Sequence, residues 1–248
     1  MKITAINGSP KGKRSATFLM VEEFLEGARQ QGAETAHVLL FEMKIHHCMG
    51  CFSCWTRTPG VCIFRDDMQK INTADSDIVI YATPLYVDNI SGLLKVFMER
   101  NVSSANPTFE TDANGEAVHP KKQKLPPKIM VMANCGFPGL EHFAVLKVLF
   151  RRVARNLQTD LIAEIYRDEG PLLTINSQNF EEVVENYKRL LQKAGSEIVL
   201  NLKISEGTQK ELEQELIPHE LYTKKHNEFF KQYIIRETKC AQPPHLFQ

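Results

Sequence analysis

The chain of 248 residues is long enough for one large domain, or for a domain with an appendage. Its 43% hydrophobic and 24% charged residues are the ordinary balance of a globular protein, and 30 basic residues against 30 acidic ones leave no net charge. That balance excludes the basic field of a nucleic-acid binder, and no apolar run is long enough to span a bilayer.

Met1–Asn7 reads as a short strand rich in β-branched residues and stopped by Asn7-Gly8. A strand at the very start leaves no signal peptide, so the expected location is the cytoplasm. From Thr17 a helical pattern takes over, with Phe18, Val21, Phe24, Leu25 and Ala28 at three- and four-residue steps. The loop between them holds Gly8, Ser9, Pro10, Lys11, Gly12, Lys13, Arg14, Ser15 and Thr17. Hydroxyls and cations at a helix N-terminus suit a bound phosphate monoester, because unpaired N–H groups and the positive dipole end meet there. The dinucleotide fingerprint is missing. The triphosphate loop is missing too, since Gly8 and Gly12 stand too close and Arg14 separates Lys13 from Ser15. What remains is a Ser/Thr loop for a terminal phosphate; the plainer alternative is a βα turn capped by Ser15.

Glu34–Phe41 is the second expected strand, and Met43–Arg65 an irregular loop carrying His46, His47 and four cysteines. Asp66-Asp67 are read as caps of a short helix Met68–Ala74. Asp77–Thr83, continuously apolar, suits a strand buried on both faces. It leads into Thr83-Pro84-Leu85-Tyr86 and a helix Ser91–Arg100. Residues 101–127, with four prolines, the turn signal Asp112-Ala113-Asn114-Gly115 and the solvated Lys121–Lys124 run, form an insertion that caps the site or reaches a partner subunit. Lys128–Asn134 and Thr159–Tyr166 are strands, and Leu140–Asn156 and Asn179–Ala194 helices. Residues 1–195 thus make one domain and 196–248 a mainly helical extension. Within the extension, Ile198–Ile204 is a strand or a helix end, while Thr208–Ile217 and Tyr222–Ile235 are helices.

Five alternations of strand and helix predict an α/β fold with an open, doubly wound parallel sheet in the order 2-1-3-4-5. Ligands sit at the carboxyl ends of such sheets, where the loops 8–17, 84–89 and 134–139 converge.

Cys48, Cys51 and Cys54 recur every three residues and Cys62 follows eight later, a spacing that points thiolates at one centre. Three readings stand: a [4Fe–4S] cluster, metal-free packing or redox thiols, and structural zinc. His46 and His47 read as surface residues and Cys135 as a small core residue, and Cys240 carries no signal. Trp55 packs within its loop, over a bound ring or at an interface.

With Asn7-Gly8-Ser9-Pro10-Lys11 and Ser15-Ala16-Thr17, Thr83-Pro84-Leu85-Tyr86, and Ser91–Arg100 (SGLLKVFMER), residues 1–195 resemble the NAD(P)H-dependent FMN reductase group of flavodoxin-like proteins. The cysteine motif followed by Asp66-Asp67-Met68 resembles that group's iron–sulfur flavoprotein branch. The resemblance implies that Ser9, Lys11, Ser15 and Thr17 hold the FMN phosphate. It implies that Pro84, Leu85 and Tyr86 line the ribityl chain and ring, and that Asn134, Cys135 and Gly136 approach the ring's polar edge. Ala16 departs from relatives that often carry Asn there. The implied function is an oxidoreductase that passes electrons from NAD(P)H through FMN to a small-molecule acceptor such as a quinone. No acid–base pair stands out. The alternatives are a flavodoxin-type electron carrier with a ferredoxin partner, and a four-cysteine zinc scaffold. Apolar stripes in the tail (Leu212, Leu216, Leu221, Tyr222, Phe229, Phe230, Tyr233) suggest packing in a homo-oligomer or back on the chain's own domain.

Overall fold

The computed structural model describes residues 1–121, 127–175 and 178–237, with side chains through 234 in the last helix. Lys122, Lys124 and Pro126 of the expected insertion, and Cys240 in the tail, lie outside the described residues.

Five parallel strands form the main sheet: β1 (Lys2–Asn7), β2 (Glu34–Leu39), β3 (Ile78–Pro84), β6 (Lys128–Asn134) and β7 (Leu161–Arg167), in the order β2-β1-β3-β6-β7. A separate two-stranded hairpin pairs β4 (Glu110–Thr111) with β5 (Ala117–Val118). The main sheet is the expected 2-1-3-4-5 arrangement. All seven residues of β3 are buried, as are six of seven in β6, because helices cover both faces. Register brings the carboxyl ends level, Asn7 beside Ala82 and Pro84 beside Asn134, so the following loops leave at one edge.

Side chains alternate between two cores. On one face Ile3, Ala5, Ile78, Ile80, Met130 and Met132 pack against α1 (Ala16–Gln30) and α5 (Glu181–Asn201). On the other, Ile6, Val79, Tyr81 and Val131 pack against α3 (Gly92–Arg100) and α4 (Ala144–Leu157). Helices α1 and α5 cross at glycines. A Cβ on Gly27 would lie 1.8 Å from the Gln192 carbonyl oxygen, and one on Gly195 2.0 Å from that of Phe24.

Several expectations shift. The short helix Met68–Ala74 is only a 3-10 turn, Asp67–Lys70, because the Asn72 side chain accepts from the Ala74 N–H and competes with helix continuation. Before it, α2 (Ser53–Thr56) is a single turn inside the cysteine loop. The insertion folds around its turn signal: Asp112 accepts from the N–H groups of Asn114 and Glu116, and Arg155 on α4 binds Asp112 and Glu116.

Helix α5 runs through Gly195 to Asn201, so Ile198 is helical and fully buried rather than part of a strand. Helix α6 (Glu206–Leu212) stops short of Ile217, and α7 (His219–Glu237) begins directly after Pro218. The tail packs partly on its own chain: Leu212 and Tyr222 are buried and Leu216 lies against the core, while Leu221, Phe229 and Phe230 remain exposed.

Candidate functional site

The three expected loops meet and are tied together by hydrogen bonds between residues far apart in sequence. The Gly8 N–H donates to the Ala82 carbonyl at 2.8 Å, and the Ser91 hydroxyl donates to the Gly8 carbonyl at 2.6 Å. That approach is why position 8 is glycine, since a Cβ there would stand 2.6 Å from Ser91 Oγ and 2.7 Å from Leu94 Cβ. The Leu85 N–H donates to the Asn134 carbonyl at 2.7 Å. The Asn134 side-chain amide donates to Thr17 Oγ1, also at 2.7 Å and buried. Thr17 accepts in that bond and keeps its own proton to give to an anion.

Ser15 is the N-cap of α1. Its Oγ accepts from the Phe18 N–H at 3.0 Å and donates to the Gly12 carbonyl at 2.7 Å. Its hydroxyl is therefore engaged in both directions and serves the helix end, whose first N–H groups lack intrahelical partners. Ser9 is buried, and its Oγ accepts from the Lys11 N–H at 3.4 Å. No acid stands in the first turn of α1. Burial, then the Arg14 charge, lowers the Lys11 ammonium below its ordinary value. A neighbouring dianion would relieve the like-charge part of that strain.

Beneath the loop, the Asn7 carboxamide accepts from the Ser9 N–H and its Nδ2 lies 3.1 Å from His37 Nε2. His37 Nδ1 lies 2.6 Å from Glu22. An accepting Nε2 and a donating Nδ1 describe a neutral ring, in keeping with burial lowering its pKa. Pro84 and Leu85 are buried beside the crevice, and Tyr86 is half exposed before a tight turn closed by reciprocal bonds with Asn89. Val87 and Asp88 both take left-handed backbone conformations there, φ 50° and 53°. For β-branched Val87 that is a strained state.

Behind Asn134–Gly136 stands a group that sequence reasoning missed. Gly136 is exposed, while its carbonyl accepts from the Tyr222 hydroxyl at 2.7 Å. Cys135 is buried, its thiol donates to the Phe137 carbonyl, and burial pushes its pKa up to about 11, so it is a core residue rather than a nucleophile. Arg167, Asp168 and Glu169, consecutive and fully buried, grip the tail. Arg167 pairs with Asp168 and donates to the carbonyls of Leu212 and Gln214, which explains where α6 ends. Asp168 also accepts from the Gly139 N–H at 2.8 Å and meets His219 Nε2 at 2.8 Å. Both Glu169 oxygens are buried without a hydrogen-bond partner, and burial raises its pKa. Such charged residues on one strand end gave no periodic signal. Only the fold shows that the tail meets them.

The four cysteines lie elsewhere, on the α3–α4 face of the sheet. Cys48, Cys51, Cys54 and Cys62 are free thiols lining one cavity of about 1020 Å³, together with Val79, Tyr81 and Arg100. Left-handed Gly50 and Phe52 (φ 65° and 51°) fold the chain between Cys48 and Cys54. The Gly60 N–H bonds the Cys54 carbonyl, which returns the chain toward Cys62. Among the described residues, no three His, Cys, Asp or Glu side chains stand together as a metal-holding group. Burial raises the Cys54 thiol, and bonds from Ser53 lower Cys51.

Behind this loop Asp66 caps its 3-10 turn, as expected, and forms a buried pair with Arg100 that the sequence did not reveal. Burial opposes ionisation of Asp66, yet Arg100 and the bonds from His46 and Met68 hold it well below the usual carboxylate range. His46 and His47 are exposed, His46 bonded to Asp66 and stacked on Phe64. The Trp55 indole donates to the Val102 carbonyl and packs against Phe52 and His119, ordinary loop packing within the chain. The hairpin borders this cavity through His119 and Pro120.

Known proteins share part of this chain's sequence and its fold. An iron–sulfur flavoprotein of Methanocaldococcus jannaschii is 35% identical over 102 residues, 40% of this chain and 50% of that protein. One of Archaeoglobus fulgidus is 32% identical over 121 residues, 48% of this chain and 54% of its own length. The chain therefore spans about half the length of these curated relatives. Among solved structures, an FMN-dependent NADH-azoreductase from Bacillus anthracis superposes over 80% of this chain and 99% of its own, with TM-score 0.57 and 17% identity. An NAD(P)H:quinone oxidoreductase from Methanothermobacter marburgensis superposes over 80% of this chain and 96% of its own, with TM-score 0.57 and 10% identity, a likeness of fold. Residues 1–120, which carry the first two loops of the crevice and the cysteine motif, match the model of the NADPH-dependent FMN reductase family.

Proposed function

We propose that the crevice binds FMN and that the protein is an NAD(P)H-dependent FMN oxidoreductase delivering electrons to a small-molecule acceptor such as a quinone. The observation that carries this reading is the Thr17 hydroxyl, fixed by Asn134 at the start of α1 with its proton left to donate, in a basic loop whose helix has no acid in its first turn. Ser9, Lys11 and Thr17 would hold the phosphate, and Ser15 fixes the helix end that faces it. Pro84, Leu85 and Tyr86 offer an apolar wall for the ring. Within Asn134–Gly136 the exposed Gly136 backbone would approach the ring's polar edge, since the Asn134 side-chain amide and the Cys135 N–H are given to Thr17 and Arg167. FMN, once bound, supplies the hydride- and electron-transfer chemistry, while the protein contributes position and electrostatics.

The relatives named as iron–sulfur flavoproteins support a [4Fe–4S] cluster on Cys48, Cys51, Cys54 and Cys62. Thiolates are the natural ligands of such a cluster, and the four cysteines line one cavity beside a buried Arg100 N–H that has no hydrogen-bond partner. Ferredoxin is the proposed partner of that cluster. Exposed Leu221, Phe229, Phe230 and Ile234 on α7 support a homo-oligomer.

Titration of the flavin-free protein with FMN, followed by flavin fluorescence, tests the site. We expect saturable binding, weakened by about 1–3 kcal/mol in Thr17→Val. Steady-state NAD(P)H oxidation with a quinone then tests the activity. Failure to take up FMN refutes the site, and uptake without NAD(P)H oxidation selects the electron-carrier alternative.

A further inference from the structure

Arg100 closes α3 and is 2% exposed. Its Nη1 donates to Asp66 Oδ2 at 2.6 Å and to the His46 carbonyl at 2.9 Å, and its Nη2 to Asp66 Oδ1 at 3.2 Å. The guanidinium also lies over the Phe64 ring, 5.3 Å from its centroid. These contacts fix the plane and leave it no freedom to turn. Nε, however, is buried without a hydrogen-bond partner. Arg100 and Cys62 both line the cavity of the four cysteines; burial opposes the guanidinium's charge, while Asp66 and then Cys62 favour it.

A buried unsatisfied N–H on a cation is rare and needs a physical reason. Sulfur supplies one, because a protonated thiol is a poor acceptor and a metal-bound thiolate a strong one. We infer that Arg100 is a positioning residue that donates its Nε–H to the Cys62 thiolate of the iron–sulfur cluster and raises the cluster's reduction potential. This rests on the cluster reading above. Hydrogen bonds to ligand sulfurs and nearby positive charge both favour the more negative, reduced cluster. Asp66 and the His46 carbonyl hold the guanidinium in place before any cluster is loaded.

The test begins with iron and acid-labile sulfide in anaerobically purified wild-type protein. A redox titration of the cluster, followed by electron paramagnetic resonance, is then compared between wild type and Arg100→Lys. The lysine keeps a cation for Asp66 and has no Nε–H. We expect Arg100→Lys to hold iron as wild type does, with a midpoint at lower potential and a shifted Fe–S(Cys) stretch in resonance Raman. A loaded variant with the wild-type midpoint overturns the inference. Should the variant not fold, wild-type protein labelled with ¹⁵N-arginine gives the answer by itself. An arginine nitrogen coupled to the reduced cluster in pulsed resonance spectra supports the bond, and its absence refutes it. Wild-type protein without iron or sulfide, even after reconstitution, fails the cluster reading itself, a result distinct from a loaded cluster indifferent to Arg100.

Discussion

Replacing Gly195 with alanine puts the α1–α5 crossing to the test. The added Cβ would stand 2.0 Å from the Phe24 carbonyl oxygen and 3.0 Å from the Ala28 nitrogen, both backbone atoms of α1. Neither can rotate away, so the helices must part by about 1 Å to restore even a tight contact. Parting them loosens Phe24, Ala28, Leu191 and Ala194, all fully buried at the seam. Overpacking of this kind costs about 1–3 kcal/mol, and contact with rigid backbone favours the upper end. Alanine recovers up to about 1 kcal/mol through helix propensity. The expected net loss is about 2 kcal/mol, or roughly 4–8 °C in melting temperature for a chain of this size. Because α1 carries Ser15 and Thr17, FMN affinity should fall with it. Thermal and denaturant unfolding of the variant provide the measurement. Gly207, in the first turn of α6 with nothing within 4 Å of its would-be Cβ, is the control, where alanine should stabilise by about 0.4–1 kcal/mol. Equal or higher stability for the position-195 variant would refute the close crossing.

Ser15→Ala removes the cap of α1 and the tie to the Gly12 carbonyl, and should lower unfolding stability by about 1 kcal/mol while weakening FMN binding in a fluorescence titration. Asp66→Asn leaves Arg100 buried without its carboxylate and should destabilise by about 3–5 kcal/mol near neutral pH. Asp66 has a depressed pKa, so its contribution is present above the ordinary value of 3.8 and is lost as pH falls through the lower folded value; acid titration of stability should be flatter in the variant. Glu169 has a raised pKa, so its contribution is whole below the ordinary 4.5 and lost as pH rises through the folded value. Glu169→Gln should therefore gain stability over wild type on going from about pH 5 to about pH 8, and an equal difference at both would count against a buried ionisable carboxyl.

What the sequence showed and what it hid divide along the range of the interactions. Strands β3 and β6 were legible because burial on both faces writes itself as a continuous apolar run. The cap at Ser15, the turn at Asp112–Gly115 and the loop of glycine, hydroxyls and cations were legible because each is settled within a few residues. The convergence of three loops followed from topology alone. By contrast, Arg100 and Asp66 are 34 residues apart and Arg167 and Gln214 47 apart, and no periodicity links such partners. The tail's apolar stripes could not say which surface they cover. Leu212 and Tyr222 turn inward only because the end of β7 offers Arg167 and Asp168 as anchors. The helix expected at Met68–Ala74 failed because Asn72 prefers its own local bond, a contest between two weak preferences.

The bond from Asn134 to Thr17 bears on how such a protein is made and dissected. The stretch that carries the family signature ends at residue 120, fourteen residues before the amide that locks the first loop. A ribosome that has released only that stretch has made a recognisable signature and an unfinished receptacle. Competence for the ligand should appear late and abruptly during synthesis, and fragments cut at the boundary of sequence similarity should be blind to it.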